Sequence, residues 1–335
     1  MIPAEVAAAW GWRDEQIAPL AGGLINATFA VREDGAPIAV LQRLHPVFGP
    51  RVNLDLEAVT AFLAARGMTT PRLLRTREGA PWVEHDGRTW RALTWIDGET
   101  VHAVPDAAWA EAGGELVGRF HRTIADLEYD YQFTRSGVHD TAAHVQRLRE
   151  CQFEGEAREL AAEILEAART LPLLGELPRR HCHGDLKISN LLFARDPLRG
   201  VCLLDLDTFQ RGTLAFELGD AMRSWCNPRG EDVTAVGFDL EIFAAAMRGV
   251  FSAYGAAAPP IAPDERASIV TGLETVCIEL AARFCADVYF DSYFGWDAAR
   301  FPSRRAHNLV RARGQLVLGL SVRAARADAL AIVLR

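Results

Sequence analysis

Along the first hundred residues, apolar and polar positions alternate in short runs that are interrupted by turn residues. A period of two is typical of a β-strand with one buried face, and an Asp-Gly break favours a hairpin turn. Two stretches instead carry apolar residues at helical spacing, and the second ends at Gly67, a plausible helix C-cap. The pattern predicts helices at 4–12 and 52–66, and strands at 17–20, 24–31, 37–44, 82–83 and 89–96.

From residue 106 onward the apolar positions recur mostly at helical spacing, with two short apolar runs near the middle. The order of elements predicts an α+β chain with a two-lobed, protein-kinase-like fold. A small antiparallel-sheet lobe, 1–97, would precede a larger and mainly helical lobe, 98–335, with Asp97-Gly98-Glu99 as the linker. The predicted helices of the second lobe are 107–127, 141–149, 154–171, 239–254, 264–287 and 305–330, and its short strands are 191–193 and 201–204.

Composition narrows the classes of partner. The 335 residues are half hydrophobic, which allows two substantial cores, and the net charge of −8 without a Lys/Arg cluster argues against nucleic-acid binding. Six cysteines occur singly, without metal-type spacing, and favour a reducing compartment. The N-terminus lacks a signal-peptide pattern, and no apolar run is long enough to cross a bilayer. We therefore expect a cytoplasmic protein without nucleic-acid or membrane partners, and its oligomeric state stays open.

The most specific chemical signal is RHCHGDLKISNLLF, at 180–193, followed by VCLLDLDTF at 201–209. Asp185 and Asn190 are separated by four residues, as in the kinase catalytic loop. There the Asp accepts the proton of an attacking hydroxyl and the Asn holds a magnesium ion. Asp205 ends an apolar run, where the second metal-binding Asp of such a site belongs. The set indicates phosphoryl transfer from ATP with Mg²⁺, and two ions are expected during turnover.

Each of these residues also has a purely structural interpretation, since an Asp–Asn pair caps helices or closes Asx-turns. The whole ordered set favours catalysis over that alternative. Lys187, two residues after Asp185, could neutralise charge on the transferred phosphoryl group. Asp207 follows Asp205 by two, so on a strand it shares that face and could reach the metal or a substrate hydroxyl. We expect Asp220 to support the catalytic loop, and its direct involvement in the reaction is an equally open alternative.

The sheet lobe carries a candidate nucleotide site, although neither a Walker A sequence nor a G-x-G-x-x-G fingerprint occurs. AGGLINATF, at 21–29, occupies the place of the glycine-rich loop in a kinase-like order. Gly23 would let the backbone approach phosphate, and Asn26 and Thr28 could donate hydrogen bonds to it. An ordinary hairpin explains this segment equally well.

A kinase site also needs a cation on the third strand, paired to a carboxylate on the next helix. No Lys occurs there, and Arg43 is the only cation of the strand. Its side chain is expected on the opposite face of the strand from Gln42. We favour Arg43 as the phosphate-side cation, because Gln cannot neutralise charge, and Glu57 as its partner. Trp95, just before the linker, would offer backbone groups to the adenine ring. The alternatives are a surface Arg, a solvated Glu and a core Trp.

HGDLKISN with LLDLDTF resembles the aminoglycoside phosphotransferase and choline kinase superfamily. More narrowly, GGLINATF, AVLQRLHPVF, DLKISNLLF, LLDLDTF and ELGDAMR are similar to the N-acetylhexosamine 1-kinase group. This resemblance implies ATP-dependent phosphorylation of the anomeric hydroxyl of a free amino sugar, with Asp185 as base and Asn190 and Asp205 as metal ligands. Lys187 agrees with that group, whereas drug-modifying relatives commonly carry His there. Gly184 departs from the Asn that is usual in the group.

Candidate acceptor residues are Asp207 and four residues of the C-terminal helices. Carboxylate and guanidinium groups suit the directional hydrogen bonds that vicinal hydroxyls demand, although helix-surface salt bridges explain each residue alone equally well. The four helical candidates are Arg283, Asp287, Tyr289 and Arg311.

Three functions are compatible with these observations. The leading hypothesis is an ATP- and Mg²⁺-dependent kinase of a free sugar or N-acetylhexosamine. The closest rival is an aminoglycoside or amino-alcohol (choline-type) phosphotransferase, whose cationic substrates would require several carboxylates around the acceptor. The third is a non-catalytic nucleotide-binding module, against which the intact Asp185, Asn190 and Asp205 argue. The expected ligands are a nucleoside triphosphate and a small hydroxylated substrate.

Overall fold

The N-terminal region folds as an antiparallel sheet with two helices. The computed structural model describes residues 2–20, 26–135 and 137–335. The elements of this region are α1 (Ala4–Trp10), β1 (Ile17–Pro19), β2 (Ala27–Glu33), β3 (Ala36–Arg43), α2 (Val52–Ala65), β4 (Leu73–Leu74), β5 (Val83–His85) and β6 (Arg88–Thr94). The strand order is β1-β2-β3-β6-β4, with β5 beside β6. Every predicted element of the region is present, whereas the short strand β4 is not evident in the sequence pattern.

The two faces of this sheet contact different partners because neighbouring residues of a strand point in opposite directions. One face packs against α1, and the other contributes to the core of the C-terminal region. Val40 and Leu93, opposite each other on β3 and β6, belong to that shared core. Gln42 and Arg91 form the next pair of the same parity and therefore share its face. Arg43 points to the α1 side.

The C-terminal region is mainly helical and contains two small two-stranded sheets. Its elements are α3 (Ala107–Ile124), α4 (Thr141–Arg149), α5 (Gly155–Arg169), β7 (Arg180–Cys182), β8 (Leu191–Arg195), β9 (Leu198–Leu203), β10 (Gln210–Gly212), α6 (Leu214–Trp225), α7 (Leu240–Tyr254), α8 (Pro263–Phe290), α9 (Arg304–Ala324) and α10 (Arg326–Val333). Strand β7 pairs with β10, and β8 pairs with β9. The predicted α+β class is confirmed. The sequence pattern misses α6 and the β7–β10 pair, and its single helix 305–330 is in fact α9 and α10.

The connection between the regions is bonded to the β8–β9 hairpin. The backbone N–H of Glu99 donates to the carbonyl of Phe193, and the Phe193 N–H donates back, both at 2.9 Å. At Gly98, where φ is 154°, a Cβ atom would lie 2.6 Å from Leu192 Cγ and 2.8 Å from the Phe193 carbonyl oxygen. Only a glycine lets the chain pass this close to the hairpin.

A large apolar core joins the two regions. Leu56 and Val59 of α2 are fully buried in the same cluster as Leu116 and Phe120 of α3. Removal of such side chains from water is the main favourable contribution to folding. Among the residues that the structure describes, no helix combines the length and the apolar character needed to span a membrane.

Candidate active site

The loop between β7 and β8 gathers three of the predicted site residues around one carboxylate. Lys187 Nζ donates to Asp185 Oδ2 at 2.7 Å, and Asn190 Nδ2 donates to the same oxygen at 3.0 Å. Asn190 Nδ2 also contacts the backbone oxygen of Asp185 at 2.9 Å and so closes the loop. Because both side chains use Oδ2, the Oδ1 atom of Asp185 is the one not engaged by them.

Two buried side chains hold the backbone of this loop. Glu217 accepts hydrogen bonds from the N–H groups of His183 and Gly184, at 2.7 and 2.9 Å. The His183 ring contacts the Leu204 carbonyl through Nε2 at 2.8 Å, and the Asp185 N–H donates to Nδ1 at 3.2 Å. This pattern requires the neutral ring with its proton on Nε2. Burial lowers the pKa of His183 and so favours that neutral form.

Gly184 takes a backbone conformation that side chains rarely adopt. Its φ is 82°, and a Cβ atom there would lie 2.5 Å from the carbonyl oxygen of Thr208. An Asn residue can adopt a left-handed backbone conformation, but the carbonyl of Thr208 is too close to leave room for any side chain. Local packing therefore requires glycine at this position.

Glu217, and not Asp220, supports the catalytic loop, which corrects the expectation from sequence. Asp220 Oδ1 instead accepts a hydrogen bond from Arg223 Nε at 2.7 Å. Burial raises the pKa of Asp220, but Arg223, His139 and Lys187 together outweigh burial, and the net shift of the pKa is downward. Glu217 lies three positions earlier in the same run, ELGD. Without a prediction of α6, the sequence could not show which of the two carboxylates faces the loop.

Asp205 lies just beyond β9, in a left-handed backbone conformation with a φ of 57°. Its Oδ2 atom is 4.0 Å from Lys187 Nζ, so the ammonium group lies between Asp185 and Asp205. Burial raises the pKa of Asp205 to about 6, with repulsion from Asp207 and Asp185 as the next causes. A surplus of partly buried negative charge is the electrostatic setting of a cation site.

Asn190 and Asp205 have the chemistry to hold a hard divalent cation. Asn190 turns its Nδ2 to Asp185, so its amide oxygen is the atom offered on the other side. Throughout 2–20, 26–135 and 137–335, no group of three or more His, Cys, Asp or Glu side chains is arranged to hold a metal. An ion here would therefore need water and phosphate oxygens to complete its coordination. Magnesium binds nucleotides in that way, so the two residues fit it.

Asp207 forms a two-pronged ion pair with Arg91 of β6. Arg91 Nη1 contacts Oδ1, and Arg91 Nη2 donates to Oδ2 at 3.0 Å. Asn26 Nδ2 donates to Oδ2 as well, at 2.7 Å. The side chains of Arg91 and Asp207 are 1% and 0% exposed. Because both oxygens are occupied, the prediction that Asp207 reaches the metal or the substrate is corrected.

The predicted pair of Arg43 and Glu57 does not form. Both oxygens of Glu57 accept from Arg75 Nη2, each at 2.7 Å. The guanidinium of Arg43 lies over the Trp90 ring, 5.7 Å from its centre. The physical reason is strand parity, since Arg43 is on the face of β3 that packs towards α1. Arg43 is the charged residue of the strand, whereas the neutral Gln42 lies on the face that meets the C-terminal region.

Arg91 is a buried cation on the same face of the sheet as Gln42, and the sequence pattern did not predict it as a site residue. It stands opposite Gln42 on the neighbouring strand and donates to Gln42 Oε1 from Nη2 at 2.7 Å. Its Nη1 also lies 3.4 Å from Oδ1 of Asn53, on α2. A charged residue within the mostly apolar stretch 89–96 was the signal that could have found it.

The other predicted nucleotide residues lie along β2 and at the connection between the regions. Asn26 is buried, and Thr28 is half-buried. Trp95 is half-buried, and its indole N–H donates to Asp97 Oδ1 at 2.8 Å. Gly23 lies outside the described residues. The roles of these four residues in nucleotide binding stay predictions.

Two cavities open beside the catalytic loop. The smaller, of about 170 Å³, is lined by Asp185, Asp205 and Arg283. The larger, of about 700 Å³, shares Gly184 and Asp220 with the smaller one. The volume of the larger cavity is in the range of sites that bind small organic molecules. The smaller cavity reaches Asp185, and the larger one opens beside Gly184, the residue before it.

Arg283 lines the same cavity as Asp185, and its role as an acceptor ligand stays a prediction. Asp287 lines a separate cavity of about 240 Å³, together with Arg283. The Asp287 carboxylate accepts hydrogen bonds from the backbone N–H groups of Ser292 and Tyr293, at 3.1 and 2.9 Å. This carboxylate holds the loop that follows α8, which is a structural role.

Tyr289 and Arg311 do not line any of the cavities beside the catalytic loop. The ring of Tyr289 is 44% exposed and packs edge-on against Phe153. Arg311 Nε donates to Asp232 Oδ1 at 2.9 Å. Surface packing and a salt bridge explain these two residues, which corrects their prediction as substrate ligands.

Comparison with known proteins gives a family and a fold. A model of the phosphotransferase enzyme family matches residues 16–256. A homoserine kinase from Bradyrhizobium sp. (strain ORS 278) is 26% identical over 201 residues, which cover 59% of this chain and 58% of that relative. The match thus spans less than two thirds of the relative's length.

Solved structures of similar shape are also kinases of small molecules. An amicoumacin kinase in complex with AMP-PNP and Ca²⁺ matches with a TM-score of 0.64 at 14% identity, over 93% of this chain and 91% of that one. A microcompartment-associated aminopropanol kinase matches with a TM-score of 0.63 at 15% identity, over 96% and 97%. At such identities the likeness shows the fold alone.

Proposed function

This chain belongs to the phosphotransferase enzyme family, and on that premise we propose that it is an ATP- and Mg²⁺-dependent kinase of a small hydroxylated molecule. One observation carries the proposal. Asp185, Lys187 and Asn190 share hydrogen bonds of 2.7 and 3.0 Å, and Asp205 lies 4.0 Å from the same ammonium group. A base, a cation and two oxygen ligands in one place are the parts that phosphoryl transfer needs.

Each part has a distinct role. Asp185 orients the acceptor hydroxyl through its Oδ1 atom and accepts the proton as that hydroxyl attacks phosphorus. Lys187 neutralises charge on the oxygens of the transferred group. Asn190 and Asp205 would hold Mg²⁺, which when bound neutralises the charge of the β- and γ-phosphates. Glu217 and His183 keep the loop in place through hydrogen bonds of 2.7–3.2 Å to its backbone.

We place the nucleotide between the two regions, which we regard as the lobes 1–97 and 98–335. Asn26 and Thr28, with Gly23 before them, would contact the phosphates, and the backbone after Trp95 would contact the base. Two-lobed kinases bind nucleotide in this position. We also expect the protein to work in the cytoplasm, because its six cysteines are free thiols.

For the acceptor we favour the anomeric hydroxyl of a free sugar or N-acetylhexosamine. The support is the motif resemblance, which includes Lys187, together with polar side chains around the cavities beside Asp185. Gln210, Asp220 and Arg283 line the smaller cavity and carry donors and acceptors suited to vicinal hydroxyls.

A second acceptor class, a hydroxylated amino acid or amino alcohol, is supported about equally. The relative named above is a homoserine kinase, and one structural neighbour is an aminopropanol kinase. The larger cavity is lined by both signs of charge, among them Asp130, Arg179 and Arg211. Such a lining suits a molecule that carries an ammonium group, a carboxylate or both.

A substrate panel decides between the two classes. ADP release would be followed with free hexoses and N-acetylhexosamines in one arm, and with homoserine, aminopropanol, choline and aminoglycosides in the other. We expect turnover in the sugar arm, with ³¹P NMR of the product locating the phosphate on the anomeric oxygen. Turnover confined to the second arm would overturn the sugar assignment and leave the kinase assignment intact.

A further inference from the structure

A buried ion pair ties the sheet of the N-terminal region to the turn that carries Asp205. Arg91 belongs to β6, and Asp207 comes two residues after Asp205 in the C-terminal region. Their side chains are almost completely excluded from water, at 1% and 0% exposure. Charged groups are buried so completely only when they are paired and hydrogen-bonded, because desolvation of an unpaired charge is very unfavourable.

The polar atoms of both side chains are hydrogen-bonded, and residues of the N-terminal region supply the further partners. Arg91 donates to Gln42 Oε1 from Nε at 2.9 Å and from Nη2 at 2.7 Å. Asp207 Oδ2 accepts from Asn26 Nδ2 at 2.7 Å, and Asn26 Oδ1 in turn accepts the backbone N–H of His45 at 2.8 Å. A fully satisfied network of this kind is rigid, whereas a partly satisfied one is not.

The position of Asp207 in the chain makes this rigidity relevant to the metal. Asp205 has a φ of 57°, a left-handed conformation that aspartate adopts more often than most residues. On one side of Asp205, the N–H of Leu204 donates to the Asn190 carbonyl at 2.7 Å. On the other side, Asp207 is held by Arg91 and Asn26. Asp205 is thus fixed from both flanks, once by the catalytic loop and once by the sheet.

We propose that Arg91 and Asp207 are positioning residues that hold the Asp205 carboxylate in place for the metal ion of the bound nucleotide. Strand β3 has no cation on the face that meets the C-terminal region. Arg91, on β6, therefore provides the link between the sheet and the metal site. The inference rests on the proposed function, since it concerns the Mg²⁺ that accompanies ATP. Replacement of a residue that positions a metal ligand typically lowers the metal affinity by about 10- to 100-fold.

The test measures how strongly Mg²⁺ assists nucleotide binding, without any acceptor or turnover. Isothermal titration calorimetry with AMP-PNP, in excess Mg²⁺ and in EDTA, gives the magnesium-dependent gain in affinity for each protein. We expect this gain to fall about 10- to 100-fold in Asp207→Asn and in Arg91→Gln. The affinity in EDTA should stay close to that of the wild type, because none of the residues proposed to contact the nucleotide is replaced.

Two further variants keep the test informative if the single variants fold poorly. The double variant, Arg91→Gln with Asp207→Asn, removes both charges and leaves no unpaired buried ion, so it should remain folded. It should show the same loss of the magnesium-dependent gain. Arg75→Gln is the matched control, because it breaks a two-pronged ion pair with Glu57 in the same region, distant in sequence from the metal turn. Its gain should equal that of the wild type.

The possible outcomes separate this inference from the proposed function. A folded double variant with an unchanged magnesium-dependent gain would overturn the inference alone. An equal loss in Mg²⁺ and in EDTA would also overturn it, because a merely structural role affects both conditions alike. A wild-type protein that binds no AMP-PNP in either condition would overturn the proposed function itself.

Discussion

Lys187 is the only lysine in the sequence, and all the other residues of the combined Lys and Arg count are arginines. A guanidinium group is a planar fork, whereas an ammonium group is a compact charge on a flexible stem. The Lys187 ammonium is 2.7 Å from Asp185 and 4.0 Å from Asp205. A compact charge can contact both carboxylates and still approach a phosphoryl group. The position of the single lysine agrees with the proposed role in transfer.

This lysine can be observed selectively, which allows a test of its environment. Burial lowers its pKa, but the charge and hydrogen bond of Asp185 outweigh burial and raise the pKa above its ordinary value. We expect the side-chain signal of [¹⁵N]lysine-labelled protein to titrate at lower pH in Asp185→Asn than in the wild type. Identical titration curves would show that the contact between Lys187 and Asp185 is absent in solution.

Residues that act within one loop could be identified from the sequence, and residues paired across the fold could not. Asp185, Lys187 and Asn190 lie within six positions, so their spacing alone indicates a shared site. Arg91 and Asp207 are 116 positions apart, and no local pattern connects them. Burial of a charge beside a distant opposite charge is a property of the folded chain.

At the level of elements, regular periodicity was the reliable signal. Alternation along β3 showed that Gln42 and Arg43 face opposite sides, but it could not show which side meets the helical region. That choice is fixed by β6 and by the two cores on either face of the sheet. The strands β7 and β10 have three residues each and exist through their mutual pairing, which no local pattern predicts.

The connection between the regions should not tolerate a side chain at Gly98. A Cβ atom there would lie 2.6 Å from Leu192 Cγ. We expect Gly98→Ala to lower the free energy of unfolding by about 1–3 kcal/mol, as overpacked positions do, measured by urea denaturation. Gly175→Ala is the control, since nothing lies within 4 Å of its Cβ position. Equal stabilities of the two variants would contradict the close approach at the connection.

The segment before α4 is attached to α8 by a pH-dependent contact. His139 Nδ1 lies 3.2 Å from Glu279 Oε1, and Glu279 also accepts from Thr141 Oγ1 at 2.7 Å. Burial lowers the pKa of His139, but the hydrogen bond and charge of Glu279 outweigh it, Asp220 adds to the rise and Arg283 opposes it. The net shift is upward. Protonation of His139 therefore stabilises the folded state.

A raised pKa means that this stabilisation is complete below the ordinary pKa of histidine and is lost as pH rises through the raised value. At low pH, the free energy of unfolding of the wild type should exceed that of His139→Gln by at most about 1.5–3 kcal/mol. This is the range for a hydrogen bond to a charged group. Thermal unfolding of both proteins, at several pH values around neutrality, measures this difference in stability. A difference in Tm that does not change with pH would contradict the contact.

For the whole molecule, the order of elements was sufficient to predict an α+β chain with a small antiparallel sheet and a mainly helical C-terminal part. The order could not show how the two regions are joined. They share the apolar core of α2 and α3, the backbone bridge at Glu99 and the pair of Arg91 with Asp207. These contacts involve residues that are far apart in the chain, so they follow from the fold.

The central claim is that this molecule transfers a phosphoryl group with Asp185 as the base. The most direct test compares ADP release by the wild type and by Asp185→Asn with the best acceptor of the panel, alongside Mg²⁺-dependent binding of AMP-PNP. We predict that kcat falls by about 10²- to 10⁴-fold in the variant, the range for loss of a general base, while AMP-PNP still binds. Equal rates in the two proteins, or no transfer by the wild type to any acceptor, would contradict the claim.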